Sequence, residues 1–331
     1  MFSAKVLIST IRDKPRLVLF VSNPPFVPFI GFLLKLLSAQ RYAILVYDIY
    51  PDILIGLNHI SETSIITRIW SRANKVVYEN SVAVVTIGDR MANTLENSFD
   101  SSKTFTGKVD VIHNCANSDQ FKPIPKESNT FAVEYNQIDK LTVMYSGNFG
   151  YSHSFENIVN VAKKLIKDET INIFLIGGGS RKNSIISEIQ IKNLVNIICL
   201  PYQDDIVFPK ALASADIALI TMTAGSEELM VPSKIYYSMA VGSALIGITN
   251  NNSELAKIIK DNECGVVVSP DSVEELYDAI LLLKKDSSLL NLYRENAYNS
   301  FVDNYNQNIM IERYNEIIGR IYSALERNQL I

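Results

Sequence analysis

With 331 residues, of which 47% are hydrophobic, the chain is long enough to bury two cores, since single domains commonly contain about 100–200 residues. The three cysteines, Cys115, Cys199 and Cys264, are far apart and form no CxxC motif, which indicates a reducing compartment rather than a disulfide framework. The three histidines are equally scattered, so metal-ligand spacing is missing and we expect neither a metal site nor a bound cofactor.

The formal charge of −4 is unevenly distributed along the chain. Residues 1–125 contain 13 lysines and arginines against 10 acidic residues, whereas the remainder contains 18 against 25. Within this basic part, the apolar run 26–37 is interrupted by Pro28, Gly31 and Lys35 and is shorter than the ~20 residues that cross a bilayer. A helix buried against a sheet and an element on a membrane surface both explain the run. The first residues do not resemble a signal peptide, so we expect a cytoplasmic protein, with the inner face of the plasma membrane as a peripheral contact.

Apolar, β-branched runs alternate with helical patterns from one end of the chain to the other. Their continuous Val, Ile and Leu content is typical of parallel strands that are buried on both faces. Their alternation with helices predicts a doubly wound α/β architecture. Ten strands are predicted, at residues 17–21, 42–47, 82–87, 109–112, 142–146, 172–176, 197–200, 217–221, 244–248 and 265–268.

A polar segment that contains Pro123 and Pro125 divides this alternation. Residues 123–139 are therefore predicted to link a first domain at 1–122 to a second domain at 140–300. Within the closing stretch 301–331, residues 309–325 have apolar side chains near every third or fourth position, which predicts a helix that packs back across the domain interface. Basic residues and aromatics do not alternate on one element, which argues against nucleic acid as a partner.

Two glycine-rich turns follow predicted strands of the second domain. Glycines at a strand-to-helix turn let the backbone approach a ligand, and ligands of open α/β sheets bind at the carboxyl ends of the strands. The second turn adds two cations, although a flexible turn with solvated cations has the same pattern. The candidate ligand-contacting residues are Gly147, Asn148 and Gly150 in the first turn and Gly178, Arg181 and Lys182 in the second.

A third candidate is the segment 232–242, which predicts a loop and a short helix before the strand at 244–248. Ser233 is placed to cap the helix through its side chain, and Gly242 suits a left-handed end. Free amides at the helix start, together with Lys234, would attract an anion such as a nucleoside diphosphate. An ordinary surface helix with a solvated lysine is the alternative.

The motifs YSGNFG, FLIGGG, ASADIALI, VPSKIYYSMAVG, NNSEL and ECGVVV occur in an order and spacing that resemble one protein family. The chain resembles family 4 glycosyltransferases of the GT-B fold, especially the branch that makes bacterial surface polysaccharides, lipopolysaccharide O-antigen or colanic-acid-type glycans. The likeness is strongest over residues 109–300. It implies two Rossmann-like doubly wound domains, of which the first is abbreviated at its start.

The resemblance also implies a function and roles for the motif residues. A sugar-nucleotide donor of the UDP or GDP type would bind the second domain, and a lipid-linked glycan acceptor would bind the first. Arg181, with Lys182 and Lys234, would stabilise the nucleoside-diphosphate leaving group without a metal, and the anomeric configuration would be retained. Glu254, in NNSEL, matches a glutamate near the donor pocket, although a glutamate that interacts with free amides at a helix start is equally consistent.

The chain departs from the family pattern at two places. Tyr237 stands where the family has a glutamate for the donor ribose, and a tyrosine hydroxyl is a weaker replacement than a carboxylate. Glu227 and Glu228 lie nearby as substitutes. The family's first strand, glycine-rich loop and helix have no counterpart, so a partner or a membrane is expected to cover the exposed sheet edge.

In the remaining first domain, Asp48 resembles the acidic residue of the family's Asp-x-Trp/Tyr-Pro turn. This likeness makes Asp48 the candidate that orients or deprotonates the acceptor hydroxyl, against a turn that merely ends a strand. His153, in the second domain, has two interpretations: it would contact phosphate, or it would simply lie on a helix face. The rival function is a non-catalytic transferase homologue that acts as a partner subunit, whereas the scattered histidines argue against a sugar-nucleotide epimerase.

Overall fold

The computed structural model describes Asp13 and residues 15–99, 109–150, 155–222 and 225–327. The chain divides into two compact units. Unit 1 comprises Met1–His113, Glu228–Val231 and Met310–Ile331, and unit 2 comprises Asn114–Glu227 and Pro232–Ile309.

Unit 1 contains a four-stranded parallel sheet whose strands follow one another in chain order, β1-β2-β3-β4. All five residues of β2 and all four of β3 are buried, as expected for strands covered on both faces. The strands are β1 Val18–Val21, β2 Tyr42–Val46, β3 Ala83–Thr86 and β4 Asp110–Val111; the helices between them are α1 Val27–Ser38, α2 Asp52–Gly56, α3 Ile65–Glu79 and α4 Asp89–Ser98.

Unit 2 contains a six-stranded parallel sheet in the order β10-β9-β8-β5-β6-β7. Its strands are β5 Leu141–Asn148, β6 Ile171–Gly178, β7 Ile197–Leu200, β8 Ile217–Thr221, β9 Ala244–Ile248 and β10 Gly265–Val268. The helices are α5 Thr130–Glu134, α6 Phe155–Lys164, α7 Lys182–Ile191, α8 Phe208–Ala213, α9 Lys234–Ala240, α10 Glu254–Asp261, α11 Val273–Lys285 and α12 Ser287–Ser300, followed by a π-helical turn at Phe301–Tyr305 and by α13 Gln307–Arg327. The ten predicted strands and the doubly wound architecture are confirmed.

The order of strands in unit 2 creates a switch point. The chain runs outward from β5 through β6 to β7, then returns to the other side of β5 and continues outward from β8 to β10. The connections after β5 and β8 therefore diverge, which opens a crevice at their carboxyl ends, where open α/β sheets bind ligands. The glycine turn after β5 lies at this crevice.

The predicted linker at 123–139 is part of unit 2 instead of a free connection. Asn129 caps α5 by accepting a hydrogen bond from the amide of Phe131 at 3.0 Å, and its own amide group donates to the carbonyl of Lys210 at 2.8 Å. Lys126 forms an ion pair with Asp216. Polar residues of this segment therefore make tertiary contacts within unit 2, and the division into units falls at Asn114.

The end of the chain returns to unit 1. From Met310 onward, α13 groups with unit 1, where Ile321 packs with Ala43 and Ala83 of the first sheet. The helical prediction for the closing stretch is therefore confirmed over α13. Among the described residues, every helix is too short or too polar to cross a membrane.

Gly177 tests the contact between the two glycine turns. Its φ is +148°, and a Cβ at this position would lie 1.9 Å from the carbonyl oxygen of Gly147. We expect Gly177→Ala to lower the free energy of unfolding by at least about 3 kcal/mol, because left-handed strain and a backbone clash add. Urea denaturation followed by circular dichroism measures this.

Gly319→Ala is the matched control, since it lies within α13 with nothing within 4 Å of its added Cβ. It should raise the free energy of unfolding by about 0.5–1 kcal/mol. An unchanged unfolding midpoint for Gly177→Ala would show that the two turns do not pack as described.

Candidate functional site

A cavity of about 160 Å³ opens in unit 2 at the switch point. Gly147 at the end of β5 and Ile220 near the end of β8 form part of its wall, as the strand order requires. Four of the predicted site residues line it: Gly147, Ser233, Lys234 and Tyr237. Most of the remaining wall is apolar, which means that a charge inside it is poorly solvated.

Lys234 is the charged group of this cavity. Its Nζ is buried without a hydrogen-bond partner in the structure and lies 4.0 Å from the ring centroid of Tyr145. The same nitrogen is 3.4 Å from the point that a Cβ on Gly147 would occupy, so the amine lies against the first glycine turn. Burial lowers the pKa of Lys234 from its ordinary value to about 7. Among the residues that the structure describes, none offers this amine a hydrogen bond or an opposite charge.

The local sequence places this lysine through α9, a seven-residue helix whose inner face is buried. Gly242 has a φ of +70°, which confirms the predicted left-handed end. The prediction that Ser233 caps the helix was wrong: its backbone is already helical, and its side chain makes no cap hydrogen bond. Ser233 is an exposed residue and forms part of the cavity wall.

The two glycine turns interlock. Gly147 and Gly177 are paired in register, and the amide of Phe149 donates to the carbonyl of Gly178 at 2.7 Å. The amide of Arg181 in turn donates to the carbonyl of Phe149 at 3.0 Å. A Cβ on Gly179, whose φ is +144°, would lie 2.4 Å from the side-chain oxygen of Asn148. Only glycines allow this approach.

The remaining turn residues have different environments. Asn148 is exposed at the tip of β5, and its carbonyl accepts a hydrogen bond from the hydroxyl of Tyr145 at 2.8 Å. Gly178 lies against the ring of Tyr202, whose hydroxyl donates to the Gly178 carbonyl at 3.3 Å. Gly150 is half-buried, and the neighbouring candidate His153 lies outside the described residues.

The two cations of the second turn do not line the cavity. Arg181 forms an ion pair with Glu156 at the start of α6, and this contact lowers the pKa of the Glu156 carboxyl. The Nζ of Lys182 donates to the carbonyl of Gly177 at 3.0 Å, which braces the turn. The structure therefore brings Lys234 to the switch-point cavity, and holds Arg181 and Lys182 on the neighbouring turn.

Tyr237 and Glu254 are placed differently from each other. Tyr237 is half-buried in the cavity wall, with its ring edge-on to Phe121 at 4.8 Å. Glu254 is completely buried at the first position of α10, where its amide donates to the carbonyl of Glu227 at 3.1 Å. The start of a helix favours a carboxylate there, but Glu254 is not part of the cavity wall.

Glu227 and Glu228, the candidate substitutes for a ribose-binding glutamate, belong to different units. The carboxylate of Glu227 accepts a hydrogen bond from Asn250 at 2.6 Å within unit 2. Glu228 belongs to unit 1, where it lies 3.8 Å from Arg90. Neither carboxylate lines the switch-point cavity.

In unit 1, Asp48 follows β2 at the carboxyl edge of the first sheet. It is half-buried, and burial raises the pKa of its carboxyl. The carbonyl of Tyr50 accepts a hydrogen bond from the side chain of Asn74 at 2.6 Å, which ties this turn to α3. Asp52, which the sequence patterns did not single out, has a pKa that is also raised by burial.

The sequence patterns also missed three aromatic residues of the switch-point cavity. Tyr202 and Phe208 line the cavity, and Tyr145 lies under the Lys234 amine. Tyr202 comes two residues after β7, so the rule that ligands meet strand ends could have found it. The described residues contain no group of three or more His, Cys, Asp or Glu side chains arranged to hold a metal ion.

Known proteins that are similar to this chain in sequence include glycosyltransferases. The probable glycosyltransferase WbjE of Pseudomonas aeruginosa is 26% identical over 320 residues, which cover 95% of this chain and 76% of that protein. The putative colanic acid biosynthesis glycosyl transferase WcaI of Escherichia coli is 28% identical over 192 residues, or 56% of this chain and 46% of that protein.

Solved structures share the fold at low sequence identity. Alr3699/HepE of Anabaena, in complex with UDP, has a TM-score of 0.78 and 13% identity over 97% of this chain and 82% of its own. Sucrose-phosphate synthase of Thermosynechococcus elongatus has a TM-score of 0.77 and 14% identity over 98% of this chain and 78% of its own.

These structures confirm the GT-B architecture that the sequence predicts, with two Rossmann-like domains. The model of the glycosyl transferases group 1 family matches residues 128–300, which are more than half of the chain and contain both glycine turns and α9. The chain therefore belongs to the group 1 glycosyl transferases.

Proposed function

We propose that this glycosyltransferase moves a sugar from a nucleoside-diphosphate sugar onto a lipid-linked oligosaccharide or polysaccharide precursor in cell-surface glycan synthesis. We further propose that transfer retains the anomeric configuration, needs no metal, and takes place at the inner face of the plasma membrane. The observation that carries the proposal is the buried Lys234 amine, which faces the switch-point cavity without a counter-charge.

A diphosphate supplies what this amine lacks. The leaving group of a sugar-nucleotide gains negative charge as the glycosidic bond breaks, and a fixed ammonium in an apolar wall stabilises that charge strongly. In the free protein, burial disfavours the charged form of Lys234. A bound diphosphate reverses this preference, so binding and protonation of Lys234 occur together.

The aromatic residues of the cavity suit the nucleoside part of the donor. Tyr202 and Phe208 offer ring faces or edges to a base, and the hydroxyl of Tyr237 is a hydrogen-bonding group for a ribose. The UDP complex of the structurally similar HepE supports a UDP-sugar as the first donor to test.

Arg181 is proposed to assist the leaving group in a second way. In the free protein its guanidinium is paired with Glu156, an exposed carboxylate. Exchange of this carboxylate for a phosphate replaces one charge-assisted pair with another, so recruitment of Arg181 costs little. Lys182 is proposed to support the turn, with Asn148, Gly150 and Gly178 beside it facing the donor.

Asp48 is proposed to orient or deprotonate the acceptor hydroxyl. Its position at the carboxyl edge of the first sheet and its raised pKa are consistent with a proton acceptor. Glu254 is proposed to lie near the donor, from its buried position at the start of α10 and outside the cavity wall.

Replacing Lys234 with Met tests the donor site. Lys234→Met keeps the length and packing of the side chain but removes the amine, so affinity for UDP should fall at least tenfold in a calorimetric titration. The free protein should become about 1–3 kcal/mol more stable, because an unpaired buried amine is removed. This opposite effect on binding and stability is the signature of a preformed anion site.

The stability gain should depend on pH with a definite sign. Below about pH 7, Lys234 is charged in both the folded and unfolded chains, and the folded chain carries the full desolvation cost. Between pH 7 and the ordinary value of 10.5, the amine is neutral in the folded chain and charged in the unfolded chain. The free-energy cost of releasing its proton on folding falls over this range, so the stability gain of Lys234→Met should be largest below pH 7 and smallest near pH 10.5. Lys257→Met is the control for losing a lysine, because Lys257 is a partly exposed residue of α10 that pairs with Asp261. Unchanged UDP affinity in Lys234→Met would exclude this amine from the site.

A transfer assay tests the reaction itself. Radiolabel from UDP-sugars should pass to organic-extractable lipid of bacterial membranes in the presence of EDTA. Asp48→Asn should lower kcat by about 10²–10⁴-fold and leave UDP affinity unchanged, because it loses the proton acceptor but not the donor site. Tight UDP binding without transfer to any acceptor would favour the non-catalytic partner subunit.

A further inference from the structure

Unit 1 exposes an unusual number of large apolar side chains on two neighbouring helices. The apolar face is defined here by the exposed residues at the start of and along α1 (Phe26, Leu33, Leu36 and Leu37) and along α3 (Ile65, Ile66, Ile69 and Val76). Leu36 is 67% exposed and Ile65 is 74% exposed, so these side chains are not parts of a loosely packed core. Apolar surface concentrated in this way marks an interaction site.

The two helices form one continuous surface. The ring of Phe26 stacks on Trp70 with centroids 4.8 Å apart, and the Nζ of Lys35 donates to the carbonyl of Asn80 at 2.8 Å. The first contact joins the residue before α1 to the middle of α3. The second joins the last turn of α1 to the residue that follows α3. On α3, the positions 65, 69 and 76 fall on one side at helical spacing.

Cations border the apolar face. The two helices carry Lys35, Arg68, Arg72 and Lys75 against a single carboxylate, Glu79, although the whole chain has a formal charge of −4. Glu79 has a side chain that is only 6% exposed and lies 4.0 Å from the Nζ of Lys75, so Lys35, Arg68 and Arg72 are the cations of these helices without that partner. The surface of these two helices is therefore cationic.

The cations of α3 also line two surface cavities, each of which contains at least one carboxylate, Asp52 in both cases. Arg68 and Arg72 line a cavity of about 600 Å³ with Asp52 and Glu62, and Arg72 and Lys75 line another of about 210 Å³. Arg68, Arg72 and Lys75 recur at intervals of four and three, so they share the side of α3 next to the apolar residues.

We propose that the apolar face docks on an anionic lipid bilayer. The apolar side chains enter the boundary between headgroups and acyl chains, and the border cations meet the lipid phosphates. An apolar surface on two side-by-side helices, bordered by cations with its one carboxylate buried, complements such a bilayer in both polarity and charge. This inference rests on the proposed function only for the lipid-linked acceptor, which a docked unit 1 would meet at the membrane.

Vesicle flotation of the full chain tests the docking surface. The protein should float with vesicles of phosphatidylcholine and phosphatidylglycerol, and much less with phosphatidylcholine alone. Ile65→Ser combined with Ile69→Ser should reduce the bound fraction at least tenfold, and Arg68→Gln combined with Arg72→Gln should reduce binding and its salt sensitivity. Ile191→Ser with Val195→Ser is the matched control, because both residues are more than three-quarters exposed in unit 2.

Each variant is also titrated with UDP, which reports folding and separates this inference from the donor proposal. Lost flotation with intact UDP binding supports the docking surface even where transfer is never observed. The inference is overturned if the wild-type chain does not float, or if Ile65→Ser with Ile69→Ser floats like the control. It is also overturned if that variant only turns a dimer into a monomer in analytical ultracentrifugation, which would assign the face to a protein partner.

Discussion

The desolvated amine of Lys234 is the physical constraint on which the proposed binding of a donor depends. Two backbone features create it: the switch point between β5 and β8, which opens a cavity, and α9, which inserts a lysine into the cavity wall. The ring of Tyr145 contacts the Lys234 amine, and an aromatic face stabilises an ammonium group less than an anion does. The folded protein thus retains an energetically unfavourable group, which we propose that a bound diphosphate stabilises.

The cations near the glycine turns differ in whether a protein group already pairs with their charge. Lys182 is committed to the carbonyl of Gly177, and Arg181 is held by Glu156, whereas Lys234 has no such partner in the structure. This ranking follows from geometry rather than from residue type. It suggests a sequence of events in which the diphosphate first meets Lys234 and Arg181 then leaves its carboxylate.

The sequence was sufficient to predict the strands, because continuous Val, Ile and Leu runs that alternate with helical patterns are typical of parallel strands buried on both faces. It also predicted Gly242 and both glycine turns, since these conformations require glycine. It could not rank Arg181 against Lys234, because the pairing with Glu156 joins residues that are 25 positions apart and depends on the packing of two turns.

Tertiary contacts decide features that local propensity does not. The wrong prediction of a Ser233 cap and the contacts of the segment 123–139 both illustrate this. Asn129 looks like a loop residue until its hydrogen bonds to Phe131 and Lys210 are known. The apolar run of α1 is ambiguous in the sequence for the same reason: the fold buries Leu34 and leaves Leu36 and Leu37 exposed, and local pattern alone does not separate these two sides.

The most direct measurement is the titration of the Lys234 amine by NMR in protein labelled with ¹³C at the lysine ε-carbon, with Lys234→Met used to assign the signal. The account predicts a midpoint near pH 7 in the free protein, because burial lowers the pKa of this amine to about 7. Saturating UDP should raise the midpoint by about 2 pH units or more, because the diphosphate stabilises the charged form. A midpoint near 10.5 in the free protein, or one that bound UDP does not move, would contradict the account.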